Sequence, residues 1–221
     1  MTTYHPSNTP SPQPSSRVVL FSLSLSFGLL VSAAVSIPFF YPTQTLWYKS
    51  GIDKFVLQLG QAAGLLGVLF LCGQIFLALR PRFLERIVGI AKIMSMHRAN
   101  ALIIIFFICA HALMILAPEG LTNLPVGKKY WPEMLGGFIL LTLWLTVVLS
   151  FFREQLQIPY LQWRIVHKPA GYAILVLIVI HIFYVNEIFH RKVPAIAICL
   201  LLTALGSYIF YRKLFRENSM K

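Results

Sequence analysis

The sequence predicts an all-α integral membrane protein with six transmembrane helices in a bundle. Of the 221 residues, 57% are hydrophobic and only 12% are charged, a composition outside the range of ordinary soluble domains. Six segments without Asp, Glu, Lys or Arg also approach or exceed the roughly 20 apolar residues that a helix needs to cross a bilayer. These segments are residues 18–41, 55–79, 99–118, 134–152, 169–186 and 193–211.

The distribution of basic residues predicts the orientation of the spans. With the N-terminus placed inside, 13 of the 19 Lys and Arg residues flank the inner ends of the spans. The positive-inside rule then makes both termini cytoplasmic, in a multi-pass protein of the cell (inner) membrane. The formal charge of +12 therefore reflects membrane topology, with membrane lipid as the partner and no nucleic acid.

The chain is predicted to hold one membrane domain between two short tails. Residues 1–16 are rich in Ser, Thr and Pro and contain no apolar run, which is typical of a disordered cytoplasmic tail. Residues 17–212 form the six-helix domain, and residues 213–221 form a second cytoplasmic tail. No internal repeat is apparent, and the three cysteines form no CxxC motif, so neither a disulfide nor a zinc site is predicted.

Small residues on the second span indicate close helix packing. Two of its glycines form a GxxxG pair, and two more extend the same small-residue surface, which lets helix backbones approach. These glycines are Gly60, Gly64, Gly67 and Gly73. The fourth span is expected to begin after Trp131 and Pro132.

The third and fifth spans each carry a histidine pair. His97 and His111 are fourteen positions apart, and His167 and His181 repeat that separation. Fourteen helical steps end about 40° short of four turns and rise roughly 21 Å, so each pair lies on one helix face near opposite sides of the membrane. Both spans run in the same direction, which brings His97 level with His167 and His111 level with His181.

Two facing imidazoles on neighbouring helices are the arrangement that a bis-histidine haem requires. The sequence therefore predicts two stacked b-type haems with these four histidines as iron ligands. Zinc or copper would need three or four clustered ligands, and proton relays usually use Asp or Glu, which the spans lack. The alternative is a non-redox transporter or assembly protein in which the histidines only pack.

Residues beside the histidines suit the same interpretation. Arg98 and Lys168 follow the inner pair directly and could bind the anionic haem propionates. Ile104 and Ile174 are each seven residues from both histidines of their span, so they are expected to pack between the two porphyrins.

Two segments resemble the ferric reductase-like transmembrane domain, which ferric reductases and NADPH oxidases share. They are LERIVGIAKIMSMHRANALIIIFFICAHALMI, residues 84–115, and WRIVHKPAGYAILVLIVIHIF, residues 163–183. The resemblance covers roughly residues 55–212. It implies a six-helix haem domain that passes electrons from cytosolic NAD(P)H, through a flavin, to an acceptor on the outer face, with the four histidines as axial ligands.

The chain departs from larger members of that family in three respects. It has no dinucleotide fingerprint, so FAD or FMN and NAD(P)H are expected only on a partner, a cytosolic flavoprotein reductase, unless a reductase portion lies outside this sequence. Ile115 stands where NADPH oxidases carry another histidine, which favours ferric iron over oxygen as the outer-face electron acceptor. Pro169 follows His167 closely and indicates a helix start or a kink there.

A second redox interpretation changes only the acceptor. The chain would then be a haem-bearing membrane subunit that feeds a periplasmic partner enzyme of the methionine sulfoxide reductase type.

Overall fold

The structure is a computed structural model that describes residues 16–43, 49–120, 124–185 and 187–217. Most of the first predicted tail therefore lies outside the described residues, as do the last four residues of the second. The α-helices in the described ranges are α1 (Ser16–Phe40), α2 (Gly51–Ala78), α3 (Arg82–Val88), α4 (Ile90–Leu116), α5 (Trp131–Phe151), α6 (Tyr160–Val185) and α7 (Lys192–Glu217).

Six of these helices, all except α3, are long and apolar enough to cross a membrane. The predicted all-α, six-span architecture is thus confirmed, and the chain is a multi-pass membrane protein. Large apolar side chains lie exposed on the outer surface of the bundle, for example Phe21, Phe106 and Leu200. This is expected for helices whose surroundings are lipid tails, because lipid is as apolar as the side chains themselves.

Helix α2 is the centre of the bundle. It carries a long series of buried residues, including Leu57, Leu71 and Ile75, and it packs against α1 on one side and most extensively against α4. Helices α5 and α6 form a second packed pair, while α7 packs mainly on the 3₁₀ turn Glu187–His190. Two helix pairs, α2 with α4 and α5 with α6, therefore make up the middle of the molecule.

Glycines allow α2 and α4 to approach closely, as the sequence predicts. A Cβ atom on Gly60 would lie 2.9 Å from the Cβ of Met114, and one on Gly67 would lie 2.9 Å from Cγ1 of Ile108. Gly73 differs from this pattern, because nothing lies within 4 Å of the position that its Cβ would take. The small-residue surface therefore ends before Gly73.

The connection between α2 and α4 contains a helix that the sequence did not predict. This short helix, α3, ends at Gly89, whose φ of +78° is a conformation that favours glycine. Pro169 also differs from one expectation, because α6 begins at Tyr160 and the proline lies inside the helix. His167 is consequently held within a regular helix and not at its start.

Helices α4 and α6 face each other without close backbone packing. Each packs on its own partner, and within the described ranges very few of their Cα atoms approach within 8 Å. Ile104 and Ile174, from the middle of the two helices, belong to one buried cluster and are only 2% and 1% exposed. Both isoleucines are thus buried midway between the histidines of their helices, while their packing between two porphyrins stays a prediction.

Candidate functional site

The structure brings His97 and His167 together at one end of the bundle. Their ring centroids are 6.5 Å apart and their planes make an angle of 68°. The two residues come from α4 and α6, so the pairing of the two helices at this level agrees with the predicted register. We call this pair the inner pair, since its end of the bundle is the one predicted to be cytoplasmic.

An amide network on α2 and α4 holds His97. The Gln74 side-chain amide donates to Nε2 of His97 over 3.1 Å. Asn100 fixes the orientation of that amide, because its Nδ2 donates to Oε1 of Gln74 over 2.7 Å and to the Phe70 carbonyl over 2.9 Å. Nδ1 of His97 is buried and has no hydrogen-bond partner among the described residues.

A hydroxyl on α5 holds His167. Oγ of Ser150 donates to the Thr146 carbonyl over 2.6 Å, so it accepts from its other two neighbours. These are Nδ1 of His167 and Nε1 of Trp163, each 3.1 Å away. The Trp163 ring also stacks on His167, with 4.5 Å between centroids and 23° between planes. One serine therefore fixes the tautomer of His167, and the tryptophan fixes the plane of its ring.

His111 is held at the other end by the backbone of α2. Its Nδ1 donates to the Gly60 carbonyl over 2.8 Å. Gly64, one turn further along α2, leaves room for the ring, because a Cβ there would lie 2.7 Å from Nδ1 of His111. The Gly60 carbonyl and Gly64, four residues later, thus form the site on α2 that holds the His111 ring. We call such a carbonyl and glycine the seat of the histidine.

His181 has the same kind of seat on α5. Its Nδ1 donates to the Pro132 carbonyl over 2.8 Å, and a Cβ on Gly136 would lie 2.6 Å from Cε1 of the ring. Here too the glycine follows the carbonyl by four residues. We call His111 and His181 the outer pair. The two central helix pairs therefore repeat one arrangement, although the sequence shows no internal repeat.

Three of the four histidines share one hydrogen-bonding pattern. His111, His167 and His181 each donate through Nδ1 to an oxygen atom, and their Nε2 has no protein partner in the part of the chain that the structure describes. His97 has the reverse pattern, because its Nε2 accepts from Gln74 and its buried Nδ1 has no partner among the described residues. No group of three or more His, Cys, Asp or Glu residues suited to a metal ion occurs among the described residues.

The cationic residues expected beside the inner pair are exposed on the surface of the bundle. Arg98 and Lys168 are both exposed, as are Lys92 and Arg164. Each follows or precedes its histidine by only a few residues, so this end of the site has a positive rim.

The residues that orient the histidines were missed in the sequence analysis. Gln74, Asn100 and Ser150 are polar side chains within apolar spans, and this is a signal of function that sequence reasoning can use. Gly60 and Gln74 on α2 are separated by fourteen residues, the same spacing as the histidines that they contact on α4. The Pro132 carbonyl carries no comparable signal, because it is a backbone atom.

Comparison with protein families matches residues 63–178 to the family described as "Ferric reductase like transmembrane component". The matched segment is more than half of the chain and contains His97, His111 and His167, while His181 lies three residues beyond its end. Comparisons with curated proteins and with solved structures give no match.

Replacing Gly136 by Ala should displace the His181 ring, because the new methyl group would lie 2.6 Å from Cε1. We expect loss of the hydrogen bond to Pro132, seen as changed ¹⁵N shifts of this imidazole in solid-state NMR. Gly137→Ala is the matched control, since nothing lies within 4 Å of that position. Identical His181 shifts in both variants would contradict the seat described above.

Proposed function

Because the chain belongs to the ferric reductase-like transmembrane family, we propose that it carries electrons across a membrane through two haems b. Membership of the family indicates transmembrane electron transfer. The proposal adds the ligands: His97 and His167 for the inner haem, His111 and His181 for the outer haem.

The hydrogen-bonding pattern shared by His111, His167 and His181 carries this proposal, and His97 enters it through its position 6.5 Å from His167, measured between ring centroids. A histidine that ligates a metal through one nitrogen usually donates the hydrogen of the other to a carbonyl or another acceptor. His111, His167 and His181 each have Nδ1 bonded in this way and Nε2 free. The free Nε2 of each of these three histidines is the atom that would bind iron.

The distances support two separate sites. Metal–imidazole nitrogen bonds of about 2 Å put the two ring centroids of a bis-imidazole iron site roughly 6 Å apart, near the 6.5 Å of the inner pair. Fourteen residues of helix separate the levels by roughly 21 Å, which is too far for one metal centre. The donor set therefore fits two bis-imidazole haem sites and no clustered metal site.

The residues of the chain would perform two tasks around these sites. The Gly60 and Pro132 carbonyls and the Ser150 hydroxyl orient the imidazoles, which keeps the ligand geometry fixed during oxidation and reduction. Ile104 and Ile174 exclude water between the two levels, and this burial influences the reduction potentials. The haem itself, when bound, supplies the one-electron iron chemistry.

The charged rim of the inner pair favours electron entry from the cytoplasm. Arg98 and Lys168 are exposed beside the ligands and would bind the haem propionates. The donor would be a cytosolic flavoprotein reductase that carries FAD or FMN and uses NAD(P)H. An acidic face on such a protein would be attracted by the basic end of the bundle.

At the outer end the structure supports a small acceptor, ferric iron. A cavity of about 340 Å³ lies between the end of α1 and the turn after α6, with Tyr41, Glu187 and His190 in its wall. Oxygen-donor and imidazole side chains suit an iron complex.

Replacing any one of the four histidines by Ala should remove the haem of its own level. Wild-type protein should give reduced-minus-oxidised bands of low-spin haem b with two haems per chain, and each variant should retain about one. His190→Ala is the control, because His190 lies outside both pairs. A colourless, folded wild-type protein grown with sufficient haem would disprove the proposal.

Ser150→Ala should affect the inner haem alone. Loss of the acceptor weakens electron donation by the His167 imidazole, so the midpoint potential of the inner haem should rise, and haem affinity should fall by about 10- to 100-fold. Redox titration and electron paramagnetic resonance would measure both effects. Thr142→Ala, which removes a similar backbone-bonded hydroxyl from α5, should change neither. Equal behaviour of the two variants would show that Ser150 does not position the ligand.

A further inference from the structure

A second charged cavity lies at the inner end of the bundle, apart from the histidines. It has a volume of about 200 Å³, and its wall consists of Arg80, Arg82, Glu85, Ile90 and Arg212. These residues come from the end of α2, from α3, from the start of α4 and from the end of α7. Four segments distant in sequence therefore meet around one opening.

The wall of the cavity has an excess of positive charge. Three guanidinium groups face a single carboxylate, and no ion pair involving any of these groups is found in the described part of the chain. Arg82 and Glu85 are exposed, whereas Arg80 and Arg212 are half-buried. Half-buried cations without counter-ions repel each other in a medium of reduced dielectric constant. A bound anion would relieve that repulsion.

Hydrogen bonds hold the two half-buried arginines in place, and that of Arg80 runs from Nη2 to Sδ of Met94 over 3.4 Å. Nη2 of Arg212 donates to the Leu79 and Arg80 carbonyls, each over 2.9 Å, while its buried Nε has no partner among the described residues. Arg80 has a φ of +49°, which is unfavourable for a side chain of this size. The placement of these two guanidinium groups is therefore accompanied by a strained backbone at Arg80 and an unsatisfied N–H on Arg212.

We infer that this cavity binds a phosphate group. Arginine matches phosphate with paired N–H donors and is less strongly hydrated than lysine, so it is the usual residue of phosphate sites. Basic pockets between transmembrane helices at the cytoplasmic side bind the headgroups of anionic lipids. Exposed Ile90 offers an apolar contact next to the charged groups. The inference rests on the cavity alone and does not require the haems.

Native mass spectrometry of the detergent-solubilised full chain tests this site. The protein is titrated with phosphatidylglycerol, with phosphatidylcholine, and with phosphatidylglycerol in the presence of millimolar inorganic phosphate. Arg82→Gln should weaken phosphatidylglycerol binding about fivefold. Arg86→Gln is the charge-matched control on the same helix, outside the cavity wall, and should change the affinity less than twofold.

Competition by inorganic phosphate identifies the source of the group. Phosphatidylglycerol binding that resists inorganic phosphate supports a lipid headgroup, and displacement supports a soluble phosphate. Equal losses in Arg82→Gln and Arg86→Gln would overturn the inference, since they indicate only diffuse attraction. Equal affinity for phosphatidylcholine would overturn it as well. Arg212→Lys, which keeps the charge but removes the paired donors, should also weaken binding, and haem absorbance should remain unchanged in all these variants.

Discussion

The arrangement of this bundle depends on giving each imidazole one hydrogen-bond partner inside an apolar protein. A buried polar group without a partner is costly, and a transmembrane helix offers few partners because its own carbonyls are already bonded. Two of the four histidines take a backbone carbonyl of the neighbouring helix, Gly60 for His111 and Pro132 for His181. Such a bond requires the imidazole to touch the neighbouring backbone, which is why a glycine lies one turn away in both cases.

This requirement explains why the two central helix pairs resemble each other. In each pair, one helix carries both histidines and the other supplies the seat, with a carbonyl at the outer level and a polar side chain at the inner level. Gln74 and Ser150 perform that inner role with different chemistry. Backbone atoms and unlike side chains perform equivalent tasks in the two helix pairs. The similarity of the two pairs is therefore seen in the three-dimensional structure and not as a repeat in the sequence.

The sequence was sufficient for the spans, the histidine register and the family, because these depend on hydrophobic length and helical periodicity. His97 and His167 meet as their positions predict. Periodicity says nothing about which neighbour satisfies an imidazole, so Ser150 and the Pro132 carbonyl could not be predicted. Hydrophobic periodicity also did not predict α3, because a helix of seven residues is stabilised by its tertiary contacts and not by its own hydrophobic pattern.

Electron transfer across a sealed membrane tests the central claim most directly. The haem-loaded protein would be placed in vesicles containing a trapped reductant, with the impermeant oxidant ferricyanide outside, and the absorbance of ferricyanide would be followed. The account predicts that vesicles with wild-type protein reduce ferricyanide. Vesicles with the His111→Ala variant, which lacks a ligand of the outer haem, should reduce it at a rate little above that of protein-free vesicles. Reduction at the same rate in both, or none in haem-loaded wild type, would contradict it.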